Sequence, residues 1–214
     1  MDFTFAFAPS GILRPTNGIM QVIVLISGWS GAGKTTLGSC LTAGAGFVSA
    51  AFASALKQIV AAELGKPLAR LHTAEGKEEE VDDPVTGQRC TVRDVLIRRG
   101  AELRASKGPD VFVQSVLRSV AREPLVVITD WRLLDELEAV RAHCAATGAV
   151  VFTVRIQRRG QVDSPVKDAL TEHQLDSFAF DHVVDNPGDD MQALRDAAAA
   201  LAACFREAAG RGRG

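Results

Sequence analysis

The sequence predicts an α/β fold with three layers, α/β/α, in which a mostly parallel sheet of about five strands lies between helices. Two observations predict this architecture. Apolar runs rich in Val, Ile and Leu alternate along the 214 residues with segments of helical periodicity, and strands that alternate with helices form parallel sheets covered on both faces. The clearest run, residues 21–27, is apolar almost throughout, as expected of a strand buried on both faces.

The predicted strands are short apolar segments that end at polar or turn-forming residues. Most are rich in β-branched side chains, and one of them ends in a carboxylate, Asp130. Because the carboxyl ends of parallel strands meet along one edge of a sheet, the residues that follow them are expected to form a crevice there. The predicted strands are residues 21–27, 46–50, 124–130, 149–156 and 181–186.

Helices are predicted where apolar residues recur every three or four positions. Pro109 suits the first turn of one helix, and Gly148 suits the C-cap of another. Residues 75–89 contain six acidic residues and no apolar periodicity, so they are interpreted as a solvated loop, with an acidic metal site as the weaker alternative. The predicted helices are residues 34–41, 52–64, 91–104, 109–121, 133–147 and 191–209.

One domain is expected, residues 20–209. A loose extension, residues 1–19, precedes it and is interrupted by Pro and Gly, and a Gly/Arg tail, residues 210–214, is predicted to be disordered. The composition, 47% hydrophobic and 23% charged, is that of an ordinary soluble globular protein.

Charge and cysteine content exclude several classes of function. The net charge of -2 provides no basic field for nucleic acid or an anionic membrane, and no apolar run reaches the roughly 18 residues that a membrane span requires. The four cysteines are scattered without a C-x-x-C pair. Free thiols in a reducing compartment, and therefore a cytoplasmic protein, are the simplest interpretation.

The strongest motif is "GWSGAGKT", residues 28–35, which matches the P-loop pattern G-x-x-x-x-G-K-[ST] at every fixed position. A predicted strand precedes it and a predicted helix follows it, as the pattern requires. Its glycines allow backbone N–H groups to face phosphate oxygens at the positive end of the helix. The alternative is a glycine-rich turn that carries a lysine by chance. The predicted ATP-binding residues here are Gly28, Ser30, Gly31, Ala32, Gly33, Lys34, Thr35 and Thr36.

A second group of polar residues follows other strands. Lys57 is expected near the crevice, with a solvated helix face as the alternative. Asp130 is predicted to hold Mg²⁺ through water or to orient a substrate, with helix capping as the alternative. Arg132 is expected to point into the same crevice. Trp131 is a candidate for stacking on an acceptor base, and core packing is its alternative.

Arginines cluster after the fourth predicted strand. Arg155, Arg158 and Arg159 are predicted to belong to a lid over the phosphates, because guanidinium groups fork onto phosphate oxygens; a basic surface turn is the alternative. Asn186 and Gly188 end the last strand and are expected to line an adenine pocket through backbone groups, unless they form an ordinary turn.

In this order, the features resemble the deoxynucleoside monophosphate kinases of phages and bacteria, over about residues 20–200. "FASALKQIV" is similar to that family's substrate helix, "TVRDVLIRRGAELR" to its Arg-containing helix, and "DWRLLDE" to its D-x-R-x-x-x-E segment. "VRIQRRG" with the later "TE" resembles the lid, about residues 157–173. Dephospho-coenzyme A kinase shares parts of this layout. The resemblance implies a substrate site made of Lys57, Arg93, Asp130, Trp131, Arg132 and Glu172.

The activity implied is transfer of the γ-phosphoryl group of ATP to a (deoxy)nucleoside 5′-monophosphate, with Mg²⁺ bound by Thr35 and Asp130. The acceptor phosphate is mostly dianionic at pH 7, so it requires cations more than a general base. A homodimer is also implied. The alternatives are dephospho-coenzyme A kinase or another small-molecule kinase, and a nucleotide-binding switch or NTPase without a second substrate. The predicted catalytic residues are Lys34, Arg132, Arg155 and Arg159.

Overall fold

A five-stranded parallel sheet lies at the centre of the protein, whose computed structural model describes residues 20–160, 173–188 and 190–211. In chain order the elements are β1 (Val22–Ser27), α1 (Lys34–Ala45), β2 (Val48–Ala50), α2 (Ala53–Glu63), a 3-10 helix (Leu68–His72), α3 (Ala74–Glu78), β3 (Glu80–Asp82), β4 (Arg89–Thr91), α4 (Val92–Lys107), α5 (Val111–Ser119), β5 (Leu125–Ile128), α6 (Leu134–Thr147), β6 (Val150–Arg158), β7 (His182–Asn186) and α7 (Met191–Arg211).

The strand order is β2-β5-β1-β6-β7, and each pair of neighbours is parallel. The predicted α/β fold with a mostly parallel sheet of five strands is therefore confirmed. The central strand β1 is buried along its whole length, because it has a neighbouring strand on each side and helices on both faces. Its continuous apolar run follows from that position.

Alternate residues of β1 face two different cores. Val22, Val24 and Ile26 pack with apolar residues of α1 and α7, whereas Ile23 and Leu25 pack with those of α5 and α6. This alternation is the period of two that a strand imposes on its side chains. It divides the helices into two layers and produces the predicted α/β/α arrangement.

The segment 75–89 is not a solvated loop. It forms α3 and an antiparallel hairpin of β3 and β4, and Val81 of the hairpin is buried in a third core with Val60 and Val92. Strands of three residues are too short to show an apolar period in the sequence, so the acidic composition led to the wrong interpretation. We call residues 68–91 the hairpin unit.

The segments leaving β1, β2, β5, β6 and β7 meet at the carboxyl edge of the sheet, because all five strands are parallel. This edge holds the P-loop and most of the other predicted site residues. Within the described residues, no helix combines the length and the apolar character needed to cross a bilayer.

Candidate active site

The P-loop connects the carboxyl end of β1 to the first turn of α1. Gly31 and Gly33 have positive φ angles of 79° and 106°, which residues with a side chain rarely adopt. A Cβ atom on Gly33 would also lie 2.7 Å from Nδ2 of Asn186. The motif therefore needs a glycine at position 33 for two separate reasons, its dihedral angles and its close contact.

Lys34 lies against the loop that precedes it. Its Nζ donates hydrogen bonds to the carbonyl oxygens of Gly28, at 2.5 Å, and of Trp29, at 2.9 Å. Thr35 is exposed in the first turn of α1, and Ser30 is exposed on the loop. The ammonium group of Lys34 and the hydroxyl group of Thr35 thus lie at the N-terminal end of α1, where a phosphate and its metal ion would bind.

The side chain of Asn186 holds the backbone of the P-loop in place by hydrogen bonding. Its Nδ2 donates to the carbonyl oxygen of Ala32 at 2.8 Å, and its Oδ1 accepts from the backbone N–H of Gly188 at 3.0 Å. The residue is only 3% exposed, so its side chain positions the loop. The expectation that backbone groups of Asn186 and Gly188 line an adenine pocket stays a prediction. Gly188 lies near Arg158: a Cβ on this glycine would be 3.6 Å from Nε of the arginine.

Arg155 is part of the sheet and not of a lid. It lies within β6 and is 6% exposed. Its guanidinium group pairs with Asp176 at 2.5 Å and donates to Oγ of Ser27 at 3.4 Å. The structure therefore places Arg155 in a partly buried ion pair beside the P-loop, and its catalytic role stays a prediction. Arg158 and Arg159 are exposed at the end of β6.

Most of the predicted lid, including Glu172, lies outside the described residues, which cover only 157–160 and 173 of its range. The structure therefore does not place Glu172. Asp176, which sequence reasoning missed, lies just beyond the lid. No motif indicates it, because two of its three partners, Trp29 and Arg155, are distant in sequence.

Asp176 contacts three side chains, one of which, Trp29, belongs to the P-loop. It accepts hydrogen bonds from Nε1 of Trp29 at 3.0 Å and from Arg155, and it contacts Nδ1 of His173 at 2.6 Å. Burial alone would raise the pKa of its carboxyl group, but the hydrogen bonds from these partners lower the pKa overall. The carboxylate is therefore ionised at neutral pH and holds Trp29 in place.

Replacing Asp176 with Asn is expected to raise the KM for ATP more than the KM for the acceptor, because the support of Trp29 is lost. The free energy of unfolding is expected to fall by about 1–3 kcal/mol, since Arg155 loses its charged partner. Steady-state kinetics and urea unfolding measure both effects. Asp185→Asn, at an exposed carboxylate of β7, is the matched control, and equal effects of the two variants would contradict this role.

A pocket of about 290 Å³ opens between α2, α3, α4 and the segment after β5. We call it the basic pocket, since five of its lining side chains are cationic. Sequence reasoning found three of these residues and missed Lys77 and Arg104. Arg104 could have been found from its helical spacing to Arg93 on α4, whereas Lys77 was hidden in the segment taken for a loop. The cationic residues are Lys57, Lys77, Arg93, Arg104 and Arg132.

The remaining wall of the basic pocket is largely apolar. Leu56, Leu96 and Ile97 line it, and Ile97 is 51% exposed although it is a large apolar residue. Gly100 belongs to the same face of α4, and a Cβ there would lie 3.2 Å from Leu56. The pocket therefore combines an apolar wall, suited to a ring or chain, with a concentration of positive charge.

Asp130 joins two elements of the site. Its two carboxylate oxygens accept hydrogen bonds from the backbone N–H groups of Phe52, at 2.8 Å, and Ala53, at 2.9 Å. It thereby caps α2 and not the helix that follows it in sequence. Burial lowers the pKa of Lys57, the nearby Asp130 carboxylate opposes that effect, and Arg132 lowers it further.

The role of Asp130 and Thr35 in binding Mg²⁺ stays a prediction. In the described part of the chain, no three or more His, Cys, Asp or Glu side chains are grouped to hold a metal ion. One hydroxyl, of Thr35, and one carboxylate, of Asp130, are donors that fit Mg²⁺, because that ion keeps several waters and takes other ligands from the substrate phosphates.

Trp131 does not line the basic pocket. It is 0% exposed, and its Nε1 donates to the carbonyl oxygen of Leu133 at 2.8 Å. The rings of Phe178 and Phe180 pack against it edge to face. The predicted stacking of Trp131 on a substrate base is therefore wrong, because neighbouring side chains already enclose the indole.

Glu136 is the acidic residue that lines the basic pocket. It is 7% exposed, and its Oε2 accepts the backbone N–H groups of Arg132 and Leu133, each at 3.1 Å. Burial raises the pKa of Glu136 to about 7; the two backbone hydrogen bonds and Arg104 act in the opposite direction, and Asp130 raises it further.

Replacing Glu136 with Gln is expected to change how stability depends on pH. Between pH 4.5 and about 7 the unfolded carboxyl ionises while the folded one stays protonated, so wild-type stability falls as pH rises through this window. Glutamine cannot ionise, and the stability of the variant relative to wild type should rise by up to about 3 kcal/mol across it. Urea unfolding at several pH values measures this. The exposed Glu138→Gln should show no such trend, and a flat difference for Glu136→Gln would contradict the prediction.

Comparison with known proteins supports the fold. No family model and no curated protein matches the chain. Among solved structures, a Chloroflexus aurantiacus protein named provisionally as a kinase is similar, with 14% identity, a TM-score of 0.50 and coverage of 87% of this chain and 98% of that chain. An APS kinase, CysC, of Mycobacterium tuberculosis in complex with AMPPNP and APS has 15% identity and a TM-score of 0.46 over 86% and 98% of the two chains. At this identity the likeness shows the fold alone, an α/β fold with a parallel sheet between helices.

Proposed function

We propose that the protein transfers the γ-phosphoryl group of ATP to a (deoxy)nucleoside 5′-monophosphate. The observation that carries this proposal is the basic pocket, which brings five cationic side chains together. Two of them, Lys57 and Arg132, lie on segments that leave β2 and β5 at the carboxyl edge of the sheet, the edge that also carries the P-loop. A protein that only binds or hydrolyses a nucleotide has no need of a second concentration of cations. A kinase for an anionic acceptor does, because two anions must approach each other before transfer.

The charges of the pocket favour a phosphate as the acceptor group. A phosphomonoester is mostly dianionic at pH 7 and attacks without first losing a proton. A hydroxyl acceptor would instead require a general base. Asp130, at the strand end, already accepts hydrogen bonds from the backbone N–H groups of Phe52 and Ala53. Glu136, which lines the pocket, accepts those of Arg132 and Leu133, so both carboxyl groups have structural partners.

In this proposal the P-loop binds the phosphates of ATP through its backbone N–H groups and Lys34. Thr35 and Asp130 are the proposed ligands, direct or through water, of a Mg²⁺ ion, which would neutralise charge on the phosphates. Lys57, Arg93 and Arg132 hold the acceptor phosphate and reduce its repulsion with ATP. The apolar wall of Leu96 and Ile97 receives the base or sugar.

A second candidate, phosphorylation of another phosphate-bearing small molecule such as dephospho-coenzyme A, uses the same geometry. The lining of the basic pocket is partly cationic and partly apolar. It suits such a molecule as well as it suits a nucleotide, since Arg and Lys recognise a phosphate group whatever is attached to that group. A homodimer is proposed from the family resemblance, and a cytoplasmic location is proposed from the scattered cysteines.

The test is a coupled assay of ADP formation from ATP and Mg²⁺. The acceptors are dAMP, dGMP, dCMP, dTMP, the ribonucleotides and dephospho-coenzyme A, with a control that contains no acceptor. Dependence of ADP formation on a nucleoside monophosphate supports the proposal, and dependence on dephospho-coenzyme A alone supports the second candidate. Equal ADP formation with and without every acceptor would overturn both and leave a switch or NTPase.

A further inference from the structure

Lys77 differs from the basic residues around it. It lies on α3, and the other lysines and arginines between positions 66 and 99 each form an ion pair with a carboxylate: these are Lys66, Arg70, Arg89, Arg93, Arg98 and Arg99. In the part of the chain that the structure describes, Lys77 has no such partner. Its ammonium group lines the basic pocket and is only partly exposed.

The charges that act on Lys77 are all positive. Burial lowers the pKa of its amine first, and Lys57, Arg93 and Arg132 then lower it further. A half-buried cation that faces only like charges is unfavourable unless an anion joins it. Such arrangements are more common at binding sites than in purely structural positions.

The hairpin unit holds Lys77 firmly in this position. Oγ1 of Thr73 accepts the N–H of Gly76 at 3.0 Å at the start of α3, and the neighbouring Glu78 pairs with Arg93 of α4 at 2.8 Å. Leu71 and Val81 are buried in the third core on either side of α3. The lysine is therefore not on a mobile loop, and its approach to the other cations is a built feature of the fold.

We infer that Lys77 is a further binding residue for the phosphate of the acceptor, and that the hairpin unit completes the acceptor site. Four cations act on one another here, Lys57, Lys77, Arg93 and Arg132. The fifth cation of the pocket, Arg104, is left out of the count because it pairs with Glu136 at 3.9 Å. Asp130 acts on Lys57 and Glu78 pairs with Arg93. Subtracting these two negative charges from four positive ones leaves about two, which matches the dianion of a phosphomonoester at pH 7.

The identity of the acceptor rests on the proposed function, whereas the binding of an anion rests on the pocket itself. The two can therefore be tested separately. Replacing Lys77 with Gln removes the charge and keeps most of the length, Lys77→Arg keeps the charge, and the matched control is Lys107→Gln, an exposed lysine at the end of α4.

The first measurement is the rate at which each lysine is methylated in the wild-type protein, with and without inorganic phosphate, resolved by mass spectrometry. Protection of Lys77 is the expected result. Protection of Lys34 without protection of Lys77 would place the phosphate at the P-loop alone and overturn the inference. If no monophosphate is phosphorylated and Lys77 is protected, the proposed function fails and the anion site stands.

The second measurement is steady-state kinetics with the best acceptor of the ADP assay. Lys77→Gln is expected to raise the KM for the acceptor about 10- to 100-fold, the loss of one charge-assisted hydrogen bond, and to leave the KM for ATP unchanged. Lys77→Arg should recover much of this loss, and Lys107→Gln should resemble wild type. An unchanged acceptor KM in Lys77→Gln would overturn the inference while the kinase activity stands.

Discussion

Replacing Lys34 with Gln is expected to lower kcat for phosphoryl transfer by about 10²- to 10³-fold, because its charge stabilises the phosphates most strongly in the transition state. The fold should survive, since the ammonium group hydrogen-bonds to the carbonyl oxygens of Gly28 and Trp29 within the loop. Measurement of kcat and KM through ADP formation, with circular dichroism as a check of folding, tests this.

The exposed Lys107→Gln is again the control for Lys34→Gln, and it should leave kcat unchanged. A folded Lys34→Gln variant with kcat within threefold of wild type would contradict the assignment of the P-loop as the site of transfer. It would then favour the alternative in which the motif is a glycine-rich turn that carries a lysine by chance.

Replacing Gly33 with Ala is expected to lower the free energy of unfolding by about 2–4 kcal/mol and to abolish measurable ATP binding. The residue has a φ of 106°, which strains any side chain, and its added Cβ would lie 2.7 Å from Nδ2 of Asn186, so the buried amide must move. That amide holds the carbonyl oxygen of Ala32, and the loop would lose its phosphate-facing curve.

Urea unfolding and calorimetric titration with ATP measure the two effects of Gly33→Ala. Gly44→Ala is the matched control, at a glycine within α1, the helix that Gly33 precedes. A Cβ at position 44 meets nothing within 4 Å, so this change should stabilise the protein by up to about 1 kcal/mol. Equal stability of the two variants would contradict the role of Asn186 beneath the loop.

Long regular features of the fold were predictable from the sequence. The apolar run of β1 and the periodic helices identified the parallel sheet, because burial on both faces imposes a composition that local sequence displays. The hairpin unit was not predictable, since each of its strands has three residues and its stability comes from contacts with α2 and α4. For the same reason, the sequence did not identify Lys77 of this unit as a residue of the site.

The site divides in the same way. The P-loop could be recognised in the sequence because its motif is local. The backbone N–H groups that would face a phosphate are consecutive, and the helix that follows begins directly after them. Trp131 and Arg155 were misplaced, because both follow or belong to strands and only packing decides which side chains the core encloses. Asp176 was missed because its partners lie in β6 and the P-loop, far from it in sequence.

By itself, the sequence determined the α/β class, the position of the glycine-rich loop between β1 and α1 and the approximate order of the elements, all of which local composition and periodicity display. Only the tertiary structure decided that Asn186 lies beneath the loop, that Asp130 caps α2 and that Lys77 joins the other cations of the basic pocket. The reason is physical: the burial and charge environment of a side chain depend on segments that are distant in sequence and become neighbours only when the sheet and its helices pack together.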